Sequence, residues 1–175
     1  ESQHFITVDL KDAAARVLAG VEIHNADGKR RELSCILRLV DPASGETVAR
    51  EVVDGAIEAG GRFAVKADWR IPAPRLWDPQ QPHLYRLLVE TREKGRILEQ
   101  SERWVGIRTV AVSTGKGFLL NGQPVLLYGG NVHHDHGPMG AAAYAAAEWR
   151  KVRLLKEAGF NAVRTAHNPP STAFL

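Results

Sequence analysis

The chain has 175 residues, of which 44% are hydrophobic and 25% charged, and its formal net charge at pH 7 is +3. This composition is ordinary for a folded globular protein and argues against extended disorder. Acidic and basic residues alternate along the sequence, so no basic block could follow a phosphate backbone, and we expect no nucleic-acid partner. No apolar run approaches the roughly 20 residues of a membrane span, and we expect no membrane partner.

Residues 1–110 consist of short runs that mostly alternate apolar and polar residues, the period of a half-buried strand. The segments between them, such as "ADGK", "DPASGE" and "EKGR", are rich in residues that favour tight turns. Seven strands at this spacing predict an immunoglobulin-like antiparallel β-sandwich domain over residues 1–110. The runs are "FITVDL", "RVLAGVEIHN", "ELSCILRLVD", "TVAREVV", "RFAVKADWRI", "HLYRLLVETRE" and "ILEQSERWVGI".

Cysteine and tryptophan residues in this region are expected to be structural. The single cysteine, Cys35, lies in an apolar run, which predicts a core residue and leaves no disulfide framework or thiolate metal site within the chain. We expect Trp69, Trp77 and Trp104 to pack in the sandwich core or between domains instead of forming a platform for carbohydrate.

The pattern changes after residue 110. "GFLLNGQPVLLYGG" predicts a hairpin with the dipeptide Asn121-Gly122 at its tip, because these residues accept the positive φ angles of a two-residue turn. Strong helix formers follow from about Ala141, with Gly159 as the predicted stop, and then the short strand "NAVRT". Strand, helix and strand form a βαβ unit, so residues 111–175 predict the beginning of a parallel α/β domain. The predicted apolar stripe of the helix is Ala145, Trp149, Val152 and Leu155.

Polar residues follow both predicted strands of this unit. Because functional groups collect at the carboxyl ends of parallel strands, we expect the two clusters to face one another. The first cluster is Asn131, His133, His134, Asp135 and His136, and the second is Arg164, His167 and Asn168.

Each cluster allows more than one interpretation. Three histidines and an aspartate in "NVHHDHG" could bind a metal, but their spacing is poor for ligands, so a backbone-satisfying polar loop or a substrate-contacting loop is favoured. Arg164 could be a structural ion-pair partner or could hold a carboxylate ionised through paired hydrogen bonds. His167 could be a solvated loop residue or a substrate contact.

Four stretches together resemble glycoside hydrolase family 2, and within it the β-galactosidases most. They are "LWDPQQPHLYRL" (76–87), "VGIRTV" (105–110), "GFLLNGQPVLLYGGNVHHDHGPMGAA" (117–142) and "LLKEAGFNAVRTAHNPPS" (154–171). They occur in the order and roughly the spacing of the family. The pattern favouring β-galactosidases over β-glucuronidases consists of His133, His134, Asp135, Gly137, Gly140 and Ala141, whereas Tyr128 and Gly130 depart from the more frequent Arg and Val.

The resemblance implies a mostly β chain, in which the sandwich leads into the first βαβ portion of a (β/α)8 barrel (111–175), with a jelly-roll domain upstream. It implies a retaining glycosidase that hydrolyses terminal β-linked sugars. The acid/base and nucleophilic glutamates are expected beyond Leu175, so we predict no catalytic residue within the chain and no activity for the chain alone. By resemblance, His133 and His167 contact the sugar and Arg164 lies beside the nucleophile. The predicted substrate-binding residues are His133, Asp135, Arg164, His167 and Asn168.

We expect no cofactor or metal site in this chain and leave room for a divalent cation in the parent enzyme. The expected partner of the parent is a β-galactoside-type carbohydrate, and self-association as a homo-oligomer is allowed. The alternatives are a non-catalytic carbohydrate-binding or scaffolding module, or a family 2 β-glucuronidase or β-mannosidase. The sequence assigns no compartment.

Overall fold

The computed structural model of the chain describes residues 2–11 and 13–175. The chain divides into two compact units, Glu1–Ala111 with Leu120–Gly122, and Val112–Leu119 with Gln123–Leu175. No helix among the described residues is long and apolar enough to cross a membrane.

The first unit is an antiparallel sandwich of seven strands, as the alternating pattern predicts. One sheet has the order β1-β2-β5 and the other the order β4-β3-β6-β7, and neighbouring strands in both are antiparallel. The strands are β1 (Ser2–Lys11), β2 (Ala14–His24), β3 (Arg31–Asp41), β4 (Glu46–Ile57), β5 (Arg62–Pro72), β6 (Tyr85–Glu93) and β7 (Arg96–Val105).

The core of the sandwich is built largely by every second residue of strands in both sheets, as β3 and β5 show. In β3, the residues that alternate with the buried ones are partly exposed, because successive side chains of a strand point to opposite faces. Cys35 is completely buried in this core and Trp69 nearly so, which confirms their predicted structural role. The buried members from β3 and β5 are Leu33, Cys35, Leu37, Leu39, Val65, Ala67, Trp69 and Ile71.

Trp104 is not a core residue, so of its two predicted structural roles only packing between domains stays a prediction. Its side chain is 56% exposed, and the guanidinium carbon of Arg86 lies 5.7 Å from the ring centroid. The alternation of β7 explains the difference, since the neighbouring Val105 occupies the buried position.

Three short strands follow the sandwich, namely β8 (Val110–Ser113), β9 (Gly117–Leu120) and β10 (Gln123–Pro124), in the sheet order β10-β9-β8. The turn between β9 and β10 is the predicted Asn121-Gly122 dipeptide, with φ angles of 52° and 76°. Two successive positive φ angles characterise the type I′ turn of a two-residue hairpin, so this prediction is confirmed.

The second unit contains the predicted βαβ element. It comprises β11 (Gly129–Val132), α1 (Ala145–Glu157) and β12 (Ala162–Thr165), and the two strands pair in parallel. Gly159 follows the helix with a φ of 89°, as expected of a residue that ends a helix. The helix begins later than predicted, because a 3₁₀ turn at Gly137–Met139 precedes it and Tyr144 is its extended N-cap.

The buried side of α1 differs from the predicted apolar stripe. Trp149 is 64% exposed and Val152 is also exposed, whereas the only buried residue of the helix is Glu148. The side of the helix that contacts the rest of this unit is therefore mixed, because Glu148 and Lys151 lie there with the half-buried Ala147 and Leu155.

Candidate functional site

The parallel pair of β11 and β12 brings the two predicted polar clusters together. Asn131 is the register partner of Arg164, and the Ala166 N–H donates to the carbonyl oxygen of Val132 at 3.0 Å. Close approach of the strands requires Gly129, because a Cβ there would lie 1.9 Å from the carbonyl oxygen of Ala162. The loops that follow the two strands therefore start side by side.

Asn161 fixes the start of this pairing with its side chain. Its Oδ1 accepts a hydrogen bond from the Tyr128 N–H at 2.8 Å, and its Nδ2 donates to the carbonyl oxygen of Leu126 at 2.9 Å. The hydrogen bonds of this side-chain amide thus extend the contact between the two segments beyond the four paired residues of each strand.

His133 and His167 meet at the carboxyl ends of the strands. Their ring centroids are 5.5 Å apart and the planes are inclined by 45°, and both side chains are exposed. Exposed imidazoles at this spacing can donate or accept hydrogen bonds to a common ligand. His167 has a φ of 67°, an uncommon left-handed conformation for a residue other than glycine, which turns the chain directly after buried Ala166.

Arg164 lies on β12, three residues before His167, and is also exposed. Its Nη1 donates to Oδ1 of Asn131 at 3.3 Å. Within the described part of the chain, no carboxylate forms an ion pair with Arg164, so most of its donors remain available to an outside group.

Asp135 and Asn168 are exposed but are less closely tied to the histidine pair. Asp135 lines a groove of about 320 Å³ beside α1, whose other lining residues include Met139, Arg150 and Leu154. Asn168 donates its backbone N–H to the carbonyl oxygen of Ala166 at 2.9 Å. Of the five predicted residues, the structure brings the rings of His133 and His167 together, while Arg164 bonds Asn131 on the strand that leads to His133.

Glu148 lies behind these loops and was not predicted from the sequence. Its side chain is almost fully buried, and Oε1 lies 3.3 Å from Nε2 of His136 and accepts a hydrogen bond from the Ser171 hydroxyl at 3.2 Å. Oε2 lies 3.4 Å from Nζ of Lys151. The contact with His136 is at ion-pair distance without the alignment of a full hydrogen bond. One signal was available in the sequence, namely an acidic residue in the first turn of a helix that follows a histidine-rich loop.

Opposing effects act on the pKa of the Glu148 carboxyl. Burial by itself raises the pKa, because it penalises the charged form, whereas His136, Lys151 and Ser171 stabilise the carboxylate. The favourable contacts prevail and the pKa is lowered from its ordinary value. The carboxylate is therefore ionised at neutral pH.

The metal interpretation of "NVHHDHG" finds no support in the described residues, where no three histidine, cysteine, aspartate or glutamate side chains come together as a metal site. The side chain of His136 contacts Glu148, whereas that of His133 contacts His167. These two histidines of the loop therefore have different partners.

Two family models match the chain. The model of glycosyl hydrolases family 2 matches residues 2–108, and that of the family 2 TIM barrel domain matches residues 110–175. The chain belongs to glycosyl hydrolase family 2. Its fold is accordingly an immunoglobulin-like sandwich followed by the start of a TIM barrel, as the sequence predicts.

Relatives in family 2 are named for two different activities. "Beta-galactosidase BoGH2A" of Bacteroides ovatus is 33% identical over 97% of this chain and 20% of its own length. A "putative beta-glucuronidase" of Formosa agariphila is 32% identical over 93% of this chain and 19% of its own length. The chain thus spans about a fifth of the length of these relatives.

Solved structures of family 2 proteins superpose on nearly the whole chain. A family 2 member from Bacteroides cellulosilyticus DSM 14838 matches with a TM-score of 0.89 and 35% identity, over 98% of this chain and 24% of the other. A Bacteroides uniformis β-glucuronidase matches with a TM-score of 0.92 and 27% identity, over 98% and 21%. The sandwich and the βαβ start are therefore shared with family 2 structures, one of which is named as a β-glucuronidase.

Proposed function

We propose that the protein to which this chain belongs is a retaining glycosidase that hydrolyses terminal β-galactosides, and that the chain forms one wall of its sugar site. The observation that carries the proposal is the pairing of His133 with His167 at the ends of two adjacent parallel strands, with their rings 5.5 Å apart. Family membership supplies the reaction class. The strand ends are where barrel enzymes assemble their active sites.

Each residue of the wall has a proposed role. His133 and His167 hydrogen-bond hydroxyl groups of the sugar, and these bonds strengthen as the ring approaches the oxocarbenium-like transition state. Arg164 offers its free donors to the nucleophilic carboxylate and keeps it ionised. Asn168 and Asp135 are proposed as further sugar contacts, of which Asp135 has the weaker geometric support because it faces a separate groove.

The carboxylates of the reaction are proposed to lie outside this chain. A retaining glycosidase needs an acid/base and a nucleophile about 5–5.5 Å apart, and by resemblance both belong to later barrel strands. We therefore expect the isolated chain to leave aryl β-galactosides unhydrolysed. Turnover above background by the purified chain, with host enzymes excluded, would contradict this expectation.

The choice of galactoside rests on the histidine-aspartate pattern of the first loop and on the similarity to BoGH2A. The similarity to a protein named as a β-glucuronidase is nearly as high, so a glucuronide is the second candidate. Specificity constants of the parent enzyme on aryl β-galactoside, β-glucuronide and β-mannoside would test the proposal. We expect the galactoside to have the highest kcat/KM. A higher kcat/KM for the glucuronide or the mannoside would contradict the proposed specificity for galactosides.

A non-catalytic carbohydrate-binding or scaffolding module is the alternative from another class. Such a module would bind sugar with the described residues alone, whereas one wall of a larger site should bind almost none. Calorimetric titration of the chain with galactose and with lactose distinguishes the two. Appreciable affinity would favour the module.

Partners and cofactors of the parent are also proposals. The exposed apolar side chains of Leu126, Leu127 and Val163 support contacts with further protein, including self-association of the parent, which light scattering after size exclusion would measure. A divalent cation in the parent would need ligands from elsewhere, because the described residues form no metal-binding cluster. We propose no nucleic-acid or membrane partner.

A further inference from the structure

We propose that Glu148 is a positioning residue that fastens both strand-end loops to α1 and so sets the spacing of His133 and His167. The inference rests on the proposed function, because these two imidazoles are the proposed sugar contacts. The carboxylate itself does not touch the sugar.

The first loop is attached to α1 at two points. The imidazole of His136 lies 3.3 Å from Oε1 of Glu148, and its side chain is almost fully buried. Lys151, one turn further along the helix, lies 3.4 Å from Oε2 of Glu148 and donates from Nζ to the carbonyl oxygen of His133 at 3.4 Å. The residue whose ring faces His167 is thus connected to Glu148 through a single lysine.

The second loop is attached to the same carboxylate. The Ser171 hydroxyl donates to Oε1 of Glu148 at 3.2 Å and accepts from the Phe174 N–H at 3.3 Å. The ammonium of Lys151 lies 6.0 Å from the centroid of the Phe174 ring, within the range of a cation–π contact. Glu148 therefore contacts side chains from both loops.

Burial makes this attachment specific. Glu148 is 2% exposed, and a carboxylate removed from water is stable only while its partners stay in place. The neighbouring cavity, lined by residues of both loops and of α1, measures only about 10 Å³, which leaves the loops little room to shift. The cluster thus favours a single arrangement of the loops that carry His133 and His167.

Positioning of this kind affects turnover strongly. A displacement of about 1 Å in a catalytic arrangement can cost about 10²-fold in rate. Loss of the Glu148 charge leaves Lys151 and His136 without their common partner, so both attachments of the first loop weaken together.

The test compares Glu148→Gln, Glu148→Asp and Glu157→Gln in the full-length parent enzyme. Glu157 is a matched control, because it lies on the same helix, is exposed, and pairs with the exposed Arg153 at 3.5 Å. We expect Glu148→Gln to lower kcat at least about tenfold, with a smaller change in KM, and Glu148→Asp, which keeps the charge, to recover part of the loss. Glu157→Gln should stay within twofold of wild type.

Amide hydrogen exchange gives a readout that does not depend on activity. In Glu148→Gln, exchange should accelerate in residues 133–137 and 166–171 and remain unchanged in the sandwich. Three results would overturn the inference. They are kinetic constants of Glu148→Gln equal to those of Glu157→Gln, unchanged amide exchange in both loops of Glu148→Gln, and a kcat of Glu148→Asp no higher than that of Glu148→Gln.

The inference can still be tested if Glu148→Gln does not fold or if the parent enzyme is inactive. If Glu148→Gln does not fold, Ser171→Ala removes only the second-loop attachment, and we expect faster exchange in residues 166–171 alone; unchanged exchange there would overturn the inference. If the wild-type parent hydrolyses no glycoside, the proposed function fails, and the exchange comparison alone decides whether Glu148 fastens the loops.

Discussion

Arg164 and Asn131 are register partners on adjacent parallel strands, and Nη1 of Arg164 donates to Oδ1 of Asn131 at 3.3 Å. This hydrogen bond holds one edge of the guanidinium beside Asn131 on β11. The remaining N–H groups can then be directed at a single outside acceptor. Arginine suits this arrangement because its donors form a rigid planar fork.

We expect Arg164→Lys to reduce turnover by the parent enzyme. Lysine keeps the charge but loses the fork, so it cannot bond Asn131 and a carboxylate in fixed geometry. The expected fall in kcat is about 10²-fold, the size associated with misplacing a positioning group. Steady-state kinetics would measure it, and Arg153→Lys on the exposed side of α1 is the control. Equal kinetics for the two variants would contradict a role for Arg164.

His167→Asn tests the proposed sugar contact with little change to the backbone. Because His167 has a φ of 67°, alanine would add strain, whereas asparagine tolerates the left-handed conformation. We expect kcat to fall by roughly 10²–10³-fold, as for loss of one preorganised donor, with KM changing less. The control is His24→Asn at the exposed end of β2, which should stay within about twofold. An unchanged kcat for His167→Asn would remove the residue from the site.

The sequence predicts the sandwich well because alternation in strands such as β3 directly reports which face is buried. It also predicts that Arg164 and His167 lie beside the first loop, since parallel strands end at one edge. It does not predict Glu148, because helical periodicity assigns burial to apolar stripes, whereas the burial of a carboxylate depends on loops that pack over it. For the same reason the apolar stripe that includes Trp149 is not the side of α1 that the described residues cover.

Asn25 is expected to stabilise the sandwich through a side chain that connects two turns, the one after β2 and the one after β4. Its Nδ2 lies 2.7, 3.1 and 3.0 Å from the carbonyl oxygens of Lys29, Ile57 and Glu58, respectively, so its two hydrogens are shared among three acceptors. Asn25→Ala leaves these acceptors without their donor and should lower the free energy of unfolding by about 1–3 kcal/mol.

Urea unfolding of the chain followed by circular dichroism would measure this loss. Gln123→Ala, which removes an exposed amide, is the control and should change the free energy of unfolding by less than about 0.5 kcal/mol. Similar values for the two variants would show that the hydrogen bonds of Asn25 contribute no net stability.

Glu90 should make the stability of the sandwich depend on pH. It is buried on the outer face of β6, where Nη2 of Arg92 and Nη2 of Arg38 each donate to it at 2.6 Å. The hydrogen bond from Arg92 lowers the pKa of Glu90 most, burial opposes the shift, and the net pKa lies below the ordinary value of 4.5. The folded state therefore binds fewer protons than the unfolded state in this window. The stabilisation is complete above pH 4.5 and is lost as the pH falls through the folded pKa.

Glu90→Gln removes this titration, so the difference in free energy of unfolding between wild type and variant should be largest at neutral pH and should shrink steadily below pH 4.5. Urea unfolding at pH 7 and at several pH values below 4.5 would measure the two curves. Glu46→Gln is the control, because Glu46 is exposed on β4 and forms no ion pair among the described residues. Its curve should run parallel to that of the wild type at every pH. If the Glu90→Gln curve were also parallel to the wild type, the two arginines would not be lowering the pKa of Glu90 in the folded state.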